Sequence, residues 1–370
     1  MNVLTGTPLL PTYARFPVTF VDGDGSWLIA DDGQRYLDLI AGIAVVSLGH
    51  CHPAPLDAAR EQLERLWHVS NLYSTEPMER LAERLSARFG GARAFFCNSG
   101  TEAVEAAIKW ARKATGKTEL VALEGSFHGR TMGALSITGQ PSKQAPFVPL
   151  VPGARFATPE TLAQHVGSET AAIFLEPVQG EGGVKPLADE TLEEARELAD
   201  EFGAMLVFDE VQAGLGRTGE FFAWQRSGVM PDAVTMAKGL ANGLPIGALL
   251  VGDRAPTAFV PGDHASTFGG NPVACAAACA VVDAIDDELL AHVRDVGALF
   301  AEALPEVRGA GLLLAVELHR PAGPVAYAAL EKGVLVGTAG DTALRITPPL
   351  TITREEAQHG ISLLQEVLAG

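Results

Sequence analysis

Residues 205–243 read MLVFDEVQAGLGRTGEFFAWQRSGVMPDAVTMAKGLANG, and both ends of this stretch break in the same way. The apolar run Met205-Leu206-Val207-Phe208 stops abruptly at Asp209-Glu210, and the run Ala233-Val234-Thr235-Met236-Ala237 stops at Lys238. Short apolar runs bounded by turn residues suit buried strands of a parallel sheet, and ligands gather beyond the carboxyl ends of such strands. Taken singly, a strand-end Asp or a Lys after an apolar run is more often structural than chemical. Taken together they place an acid and an amine at one ligand edge. A carboxylate there can keep a pyridine nitrogen protonated and a buried lysine can form a Schiff base with an aldehyde, which are the two requirements of pyridoxal 5'-phosphate.

The rest of the chain reads outward from that pair. At 370 residues, 47% hydrophobic and 19% charged, the chain can bury a large core, with one large and one small domain as the natural division. A net charge of −18 argues against nucleic acid or an anionic membrane as partner, since both reward a basic patch. No run approaches the ~20 apolar residues of a membrane span, and the start MNVLTGTPLLPTYAR does not read as a signal peptide, so a cytoplasmic location is expected. Cys51, Cys97, Cys275 and Cys279 form no disulfide or zinc pattern and read as reduced packing residues. His50-Cys51-His52 is too contiguous to converge on one ion, so no metal is expected. Gly116-Lys117-Thr118 mimics the end of a P-loop, but the earlier glycine falls at Ala111 and the run follows a helix, so a nucleotide triphosphatase is rejected.

Several further segments point at the same ligand edge. Phe95-Phe96-Cys97 runs as a strand into Asn98-Ser99-Gly100-Thr101-Glu102, where Ser99 and Glu102 have capping-box spacing. Free amides and the helix dipole make that start an anion site, so Gly100 and Thr101 are assigned to the cofactor phosphate. After a strand at Glu119 to Leu123, Phe127 suits an aromatic lid on a pyridine ring and Arg130 offers a fork for a carboxylate. A strand from Ala172 to Leu175 leads to Val178-Gln179-Gly180-Glu181-Gly182-Gly183, which brings Glu181 toward the pocket. Asp209 and Val211, two apart, share one side of an extended backbone, so Val211 would pack on the ring while Gln212 reaches its phenolic oxygen. Arg217 reads as a residue that structures its turn. Outside this edge, a hairpin is expected around 23–25. Helices are expected near 55–66, 78–89, 273–285, 288–303 and 324–332, and at 354–368 with a Thr353/Glu356 capping box. Strands are expected near 246–251, 311–318, 334–337 and 343–347.

The segments DEVQAGLGRTG, SGTEA, FHGRT and TFGGNP together resemble the subgroup III aminotransferases of fold type I, over nearly the whole chain. The resemblance implies an α/β fold: a large domain with a mostly parallel sheet plus a smaller α+β domain. It places an N-terminal segment at 1–45, packing with the small domain, a pyridoxal-phosphate domain at 46–272 and a small domain at 273–370. It implies Lys238 as the Schiff-base lysine and Asp209 as its catalytic partner, with Phe127 stacking on the ring and Arg130 on a substrate carboxylate. It pairs Glu181 with Arg345. It has Thr267 binding the cofactor phosphate of a neighbouring subunit, hence a homodimer with shared sites, and puts Ser266 beside the substrate. Within the family the chain is most similar to the N-acetylornithine branch of arginine biosynthesis. That branch moves the δ-amino group of N2-acetylornithine to 2-oxoglutarate, giving N-acetylglutamate 5-semialdehyde and glutamate. Ornithine enzymes usually carry a tyrosine where Ile43 stands here, which favours an acylated amine. Ornithine, succinylornithine, acyl-lysine and 4-aminobutyrate remain alternative donors, and an aminomutase or a decarboxylase remains an alternative class.

Overall fold

The computed structural model describes residues 8–369. Its centre is a seven-stranded sheet in the order Ala92–Cys97, Gly247–Gly252, Ala233–Met236, Met205–Asp209, Thr170–Leu175, Glu119–Leu123, Ala154–Ala157. Met205–Asp209 lies in the middle, parallel to Thr170–Leu175 on one side and Ala233–Met236 on the other. Both of these neighbours are buried along their length, which is why they read as continuous apolar runs rather than alternating ones. Gly247–Gly252 runs antiparallel to both of its neighbours, so its first residue, Gly247, pairs with Cys97, the last of its strand. The carboxyl ends of the six parallel strands and the start of the antiparallel one therefore share one edge.

Helices cover both faces. Gly100–Thr115 buries Val104, Ile108, Trp110 and Ala111, and Asp189–Phe202 buries Leu192, Ala195 and Ala199, the spacing of one helical face. Pro272–Ala284 is apolar around most of its circumference and is buried accordingly, with Cys275 and Cys279 packed inside. Cys97 is also buried, whereas Cys51 is exposed, so the expectation that all four thiols pack inside holds for three of them.

A second, antiparallel sheet follows the order Val307–Ala310, Leu313–Glu317, Ala343–Ile346, Gly337–Ala339, backed by the helices Asp287–Ala303, Ala322–Glu331 and Arg354–Ala369. Thr353 and Glu356 do form the expected box: each main-chain amide donates to the other's side chain, at 2.9 and 3.1 Å. The same Glu356 carboxylate accepts from Trp27 Nε1 and Ser26 Oγ, docking the hairpin Phe20–Asp24/Trp27–Ala30 onto the last helix. Arg35–Asp38 adds a third strand and pairs in parallel with Val334–Leu335. Residues 39–48 are stitched to 347–351 by main-chain bonds from Thr347 to Leu39 and from Leu350 to Ser47. Arg217 does more than shape its turn. It is 1% exposed and donates through Nη1 to the carbonyls of Leu312 and Pro348, tying the central stretch to the second sheet. Burial lowers its pKa to about 9.

Among the described residues no helix is long and apolar enough to cross a membrane, and no cluster of three or more His, Cys, Asp or Glu is placed to hold a metal ion.

Candidate functional site

A cavity of about 360 Å³ opens at the shared strand edge. Its wall includes nine of the residues singled out from the sequence: Gly100, Thr101, Phe127, Arg130, Glu181, Asp209, Val211, Gln212 and Lys238. Gly100 begins the helix, with Ser99 as its N-cap accepting from the Glu102 amide. The first-turn amides have no partner within the helix and point out of its start. A Cβ on Gly100 would fall 2.6 Å from Val211 Cγ1, so only glycine lets that helix start sit against the valine that bounds the slot. At Gly129, φ is +136° and a Cβ would fall 2.2 Å from Thr101 Oγ1, so this glycine lets the Phe127–Arg130 loop approach the same helix start. The Thr101 hydroxyl is also 2.7 Å from that of Thr131.

Asp209 is 4% exposed and accepts three hydrogen bonds: His128 Nδ1 at 2.7 Å, Thr235 Oγ1 at 3.0 Å and the Val211 amide at 3.1 Å. These bonds fix the carboxylate on the cavity wall. His128 is buried against Phe174, with Nε2 unpartnered. Burial pulls its pKa down, but the Asp209 bond and charge outweigh this and hold it above the usual value. Lys238 lies two residues past the end of the strand Ala233–Met236, in a left-handed conformation, φ +41°, and opens the short 3₁₀ turn Lys238–Ala241. Asn242 anchors that turn by accepting from the Leu48 amide at 2.8 Å and donating to the Gly49 carbonyl at 2.9 Å. Burial lowers the Lys238 pKa, with Glu181 and Asp209 acting against it and Arg345 with it.

Glu181, Gln212 and Arg345 form one cluster. Arg345 Nη1 donates to Glu181 Oε1 and, at 3.2 Å, to Gln212 Oε1, while Gln212 Nε2 lies 3.4 Å from the same Glu181 oxygen. Gln212 is thus occupied by this cluster. Glu181 lies below the ordinary carboxylate range: burial alone would raise it, and the Arg345 charge and bond more than reverse that. Ser266 and Thr267 do not line the cavity. Ser266 Oγ accepts from Asn98 Nδ2 at 3.2 Å, one residue outside the helix cap, and Thr267 is exposed.

Two ionisable residues on the wall carry no role read from the sequence, His128 and Glu176. Glu176 is buried, accepts from the Phe127 amide at 2.9 Å and the Gly180 amide at 3.2 Å, and so ties the Phe127 loop to the Glu181 loop. Burial pushes its pKa up to about 7. Its position at a strand end, directly after Leu175, was the available signal. His128 had none, because its partner lies 81 positions away.

The model of the Aminotransferase class-III family matches residues 11–368. The chain belongs to that family. An acetylornithine aminotransferase of Aquifex aeolicus is 46% identical over 376 residues, covering 98% of this chain and 100% of the relative. Among solved structures, N-acetylornithine aminotransferase from Stenotrophomonas maltophilia superposes with a TM-score of 0.83 at 36% identity, covering 96% of each chain. Ornithine aminotransferase from Toxoplasma gondii superposes with a TM-score of 0.92 at 31% identity, covering 98% of this chain and 92% of that one, and carries pyridoxal phosphate at partial occupancy in its active site. In this chain Lys238, Asp209 and the helix start at Gly100 line one cavity at the strand edge.

Proposed function

We propose that this class-III aminotransferase uses pyridoxal phosphate to move the δ-amino group of N2-acetylornithine to 2-oxoglutarate, in arginine biosynthesis. The observation that carries the chemistry is the convergence of Lys238, the triply bonded Asp209 and the Gly100 helix start on one cavity. The cofactor fits the residues present. The amides of Gly100 and Thr101 would take its phosphate, Phe127 and Val211 would flank its ring, and Asp209 would face the pyridine nitrogen. Lys238 would take the aldehyde. When bound, the group supplies an aldehyde carbon and an electron-withdrawing ring. The chain supplies the rest. Lys238 Nζ, with its basicity lowered by burial, takes and returns the proton on the amine-bearing carbon of the substrate. Three accepted bonds hold the Asp209 carboxylate in place beside the ring, and His128 fixes its orientation. Arg130 would receive the α-carboxylate of the amine donor. Arg345, held by Glu181 during that half, would receive the α-carboxylate of glutamate once Glu181 releases it.

The acylated donor is supported by the curated relative and by Ile43, which is exposed where ornithine enzymes usually carry tyrosine. A homodimer is supported by the apolar surface around Thr267. Trp67, Leu72, Tyr73 and Phe268 are exposed there, and Asn71 Nδ2 ties the two segments together through the Ser266 and Gly269 carbonyls. A second copy covering that face would bring Thr267 to the other copy's cofactor phosphate. The domain division at 45/46 and 272/273 and a cytoplasmic location belong to the same proposal.

Single amines added to the purified protein with pyridoxal phosphate, in the absence of a 2-oxo acid, test the reading. N-acetylornithine should bleach the visible absorbance of the bound cofactor, whereas ornithine and 4-aminobutyrate should not. Bleaching by ornithine alone would move the enzyme to the ornithine branch. Failure to bind the cofactor at all would sink the proposal from Lys238 outward.

A further inference from the structure

Two cations lie close to one ring, that of Phe127, which lines the cavity together with Arg130. The Arg130 guanidinium carbon lies 5.4 Å from the centroid of Phe127, and Lys143 Nζ lies 5.8 Å from the same centroid. Neither cation has a carboxylate within ion-pair distance among the described residues. In a chain with a net charge of −18, two unpaired like charges held together form an arrangement that an anion would relieve.

The position of Lys143 is built. Its ammonium donates to Gln140 Oε1, and Gln140 Nε2 in turn donates to the carbonyls of Gly125 and Ser126, at 3.1 and 3.3 Å, in the loop that leads to Phe127. On the other side Gln144 Nε2 donates to the carbonyls of Leu135, Ser136 and Thr138. The short turn Pro141–Gln144 is therefore pinned from both ends, and the lysine stem leaves a fixed base. Its pKa is lowered first by burial and then by Arg130, with Glu181 and Asp341 opposing. Arg130 and Glu181, both on the cavity wall, thus act on the Lys143 charge.

Lys238 and Arg130 line the same cavity, so a substrate whose amine meets Lys238 can set its far end against Arg130. A carboxylate has about four lone-pair sites, and one guanidinium fork uses two of them. We propose that Lys143 is the second cation of a two-point grip, with Arg130, on the substrate carboxylate farthest from the reacting carbon. The inference rests on the N-acetylornithine reading for the identity of the donor. It extends to the acceptor, because the γ-carboxylate of 2-oxoglutarate is likewise the one remote from the reacting carbon. Lys143 therefore sets a preference for carboxylate-bearing substrates in both halves of the reaction.

Steady-state kinetics of K143M and K143R on the holoenzyme test it. K143M should raise KM for both N-acetylornithine and 2-oxoglutarate by about tenfold, the effect of one charge-assisted hydrogen bond, with a smaller change in kcat. Selectivity for N-acetylornithine over N-acetylputrescine, the same molecule without the carboxylate, should fall by a similar factor. K143R should recover most of both. Unchanged KM for both carboxylate substrates, or an equal loss with N-acetylputrescine, would overturn the assignment. If the unaltered enzyme rejects N-acetylornithine, the donor reading falls. KM for 2-oxoglutarate, measured with whichever amine bleaches the cofactor, then still decides the role of Lys143.

Discussion

Replacing Asp209 by Asn removes one charge and almost no volume, and its consequences can be worked from the three bonds the carboxylate accepts. Oδ1 can still accept from Thr235 Oγ1 and the Val211 amide. The new amide nitrogen, however, faces His128 Nδ1, which now donates to Oδ2 at 2.7 Å. His128 must then accept at Nδ1 and carry its proton on Nε2, which is buried without a partner. The loss of one charge-assisted bond costs about 1.5–3 kcal/mol of stability. The pH dependence should change sign as well. His128 is now held above its unfolded pKa, so its stabilising contribution is complete below that value and is lost as pH rises through the folded pKa. With Asp209 neutral, burial dominates and drops the folded pKa below the unfolded one. The contribution is then present above the unfolded pKa and is lost as pH falls through the folded one. Turnover should fall by roughly 10²–10³-fold, as for other preorganised charges in a water-poor site. Three assays read these effects: unfolding of the cofactor-free protein from pH 5 to 9, the His128 titration by NMR, and kcat. A His128 titration unmoved by the substitution, or a kcat within threefold of the unaltered enzyme, would show that Asp209 does not hold His128 or does not serve turnover in this way.

Three other perturbations probe the same frame. Gly100→Ala should destabilise by about 1–3 kcal/mol through the contact with Val211 and weaken pyridoxal phosphate binding by roughly tenfold or more, seen in thermal unfolding and cofactor titration; retained affinity would remove Gly100 from the cradle. Glu210, buried and accepting from the Ala223 and Trp224 amides, has its pKa pushed up to about 8 by burial. Its stabilising effect is full below its unfolded pKa near 4.5 and is lost as pH rises through about 8, an amplitude on the order of 5 kcal/mol. Glu210→Gln should flatten that fall in unfolding experiments between pH 5 and 8.5, and an unchanged slope would argue against it. Arg345→Ala should spare the half-reaction of the amine donor and impair that of glutamate in single-turnover spectra; equal loss in both would rule out the Glu181 switch.

The residues legible in the sequence are those whose role follows from their immediate neighbours. Asp209 and Lys238 stand out because each ends a short apolar run, and a parallel sheet sends such ends to one edge. Gly100 stands out because Ser99 and Glu102 mark a helix start. The helices at 272–284, 287–303, 322–331 and 354–369 fall within a few residues of their expected bounds, because apolar periodicity and caps are local signals. Strands without such signals were missed. Ala154–Ala157 is a half-exposed edge strand and Val307–Ala310 contains a glycine, so neither has a continuous apolar run.

Sequence alone determined the family, the fold class, the lysine–acid pair and the helix start. What those groups touch depends on the packing of distant segments. That packing set His128 against Asp209 across 81 positions and let Glu176 join the two loops that carry Phe127 and Glu181. It buried Arg217 between the central stretch and the second sheet, and it drew Lys143 in beside Arg130. The reason is physical. Strand and helix formation follow from the period of apolar residues within a dozen positions, whereas a hydrogen bond between distant side chains depends on sheet order, which that period does not encode.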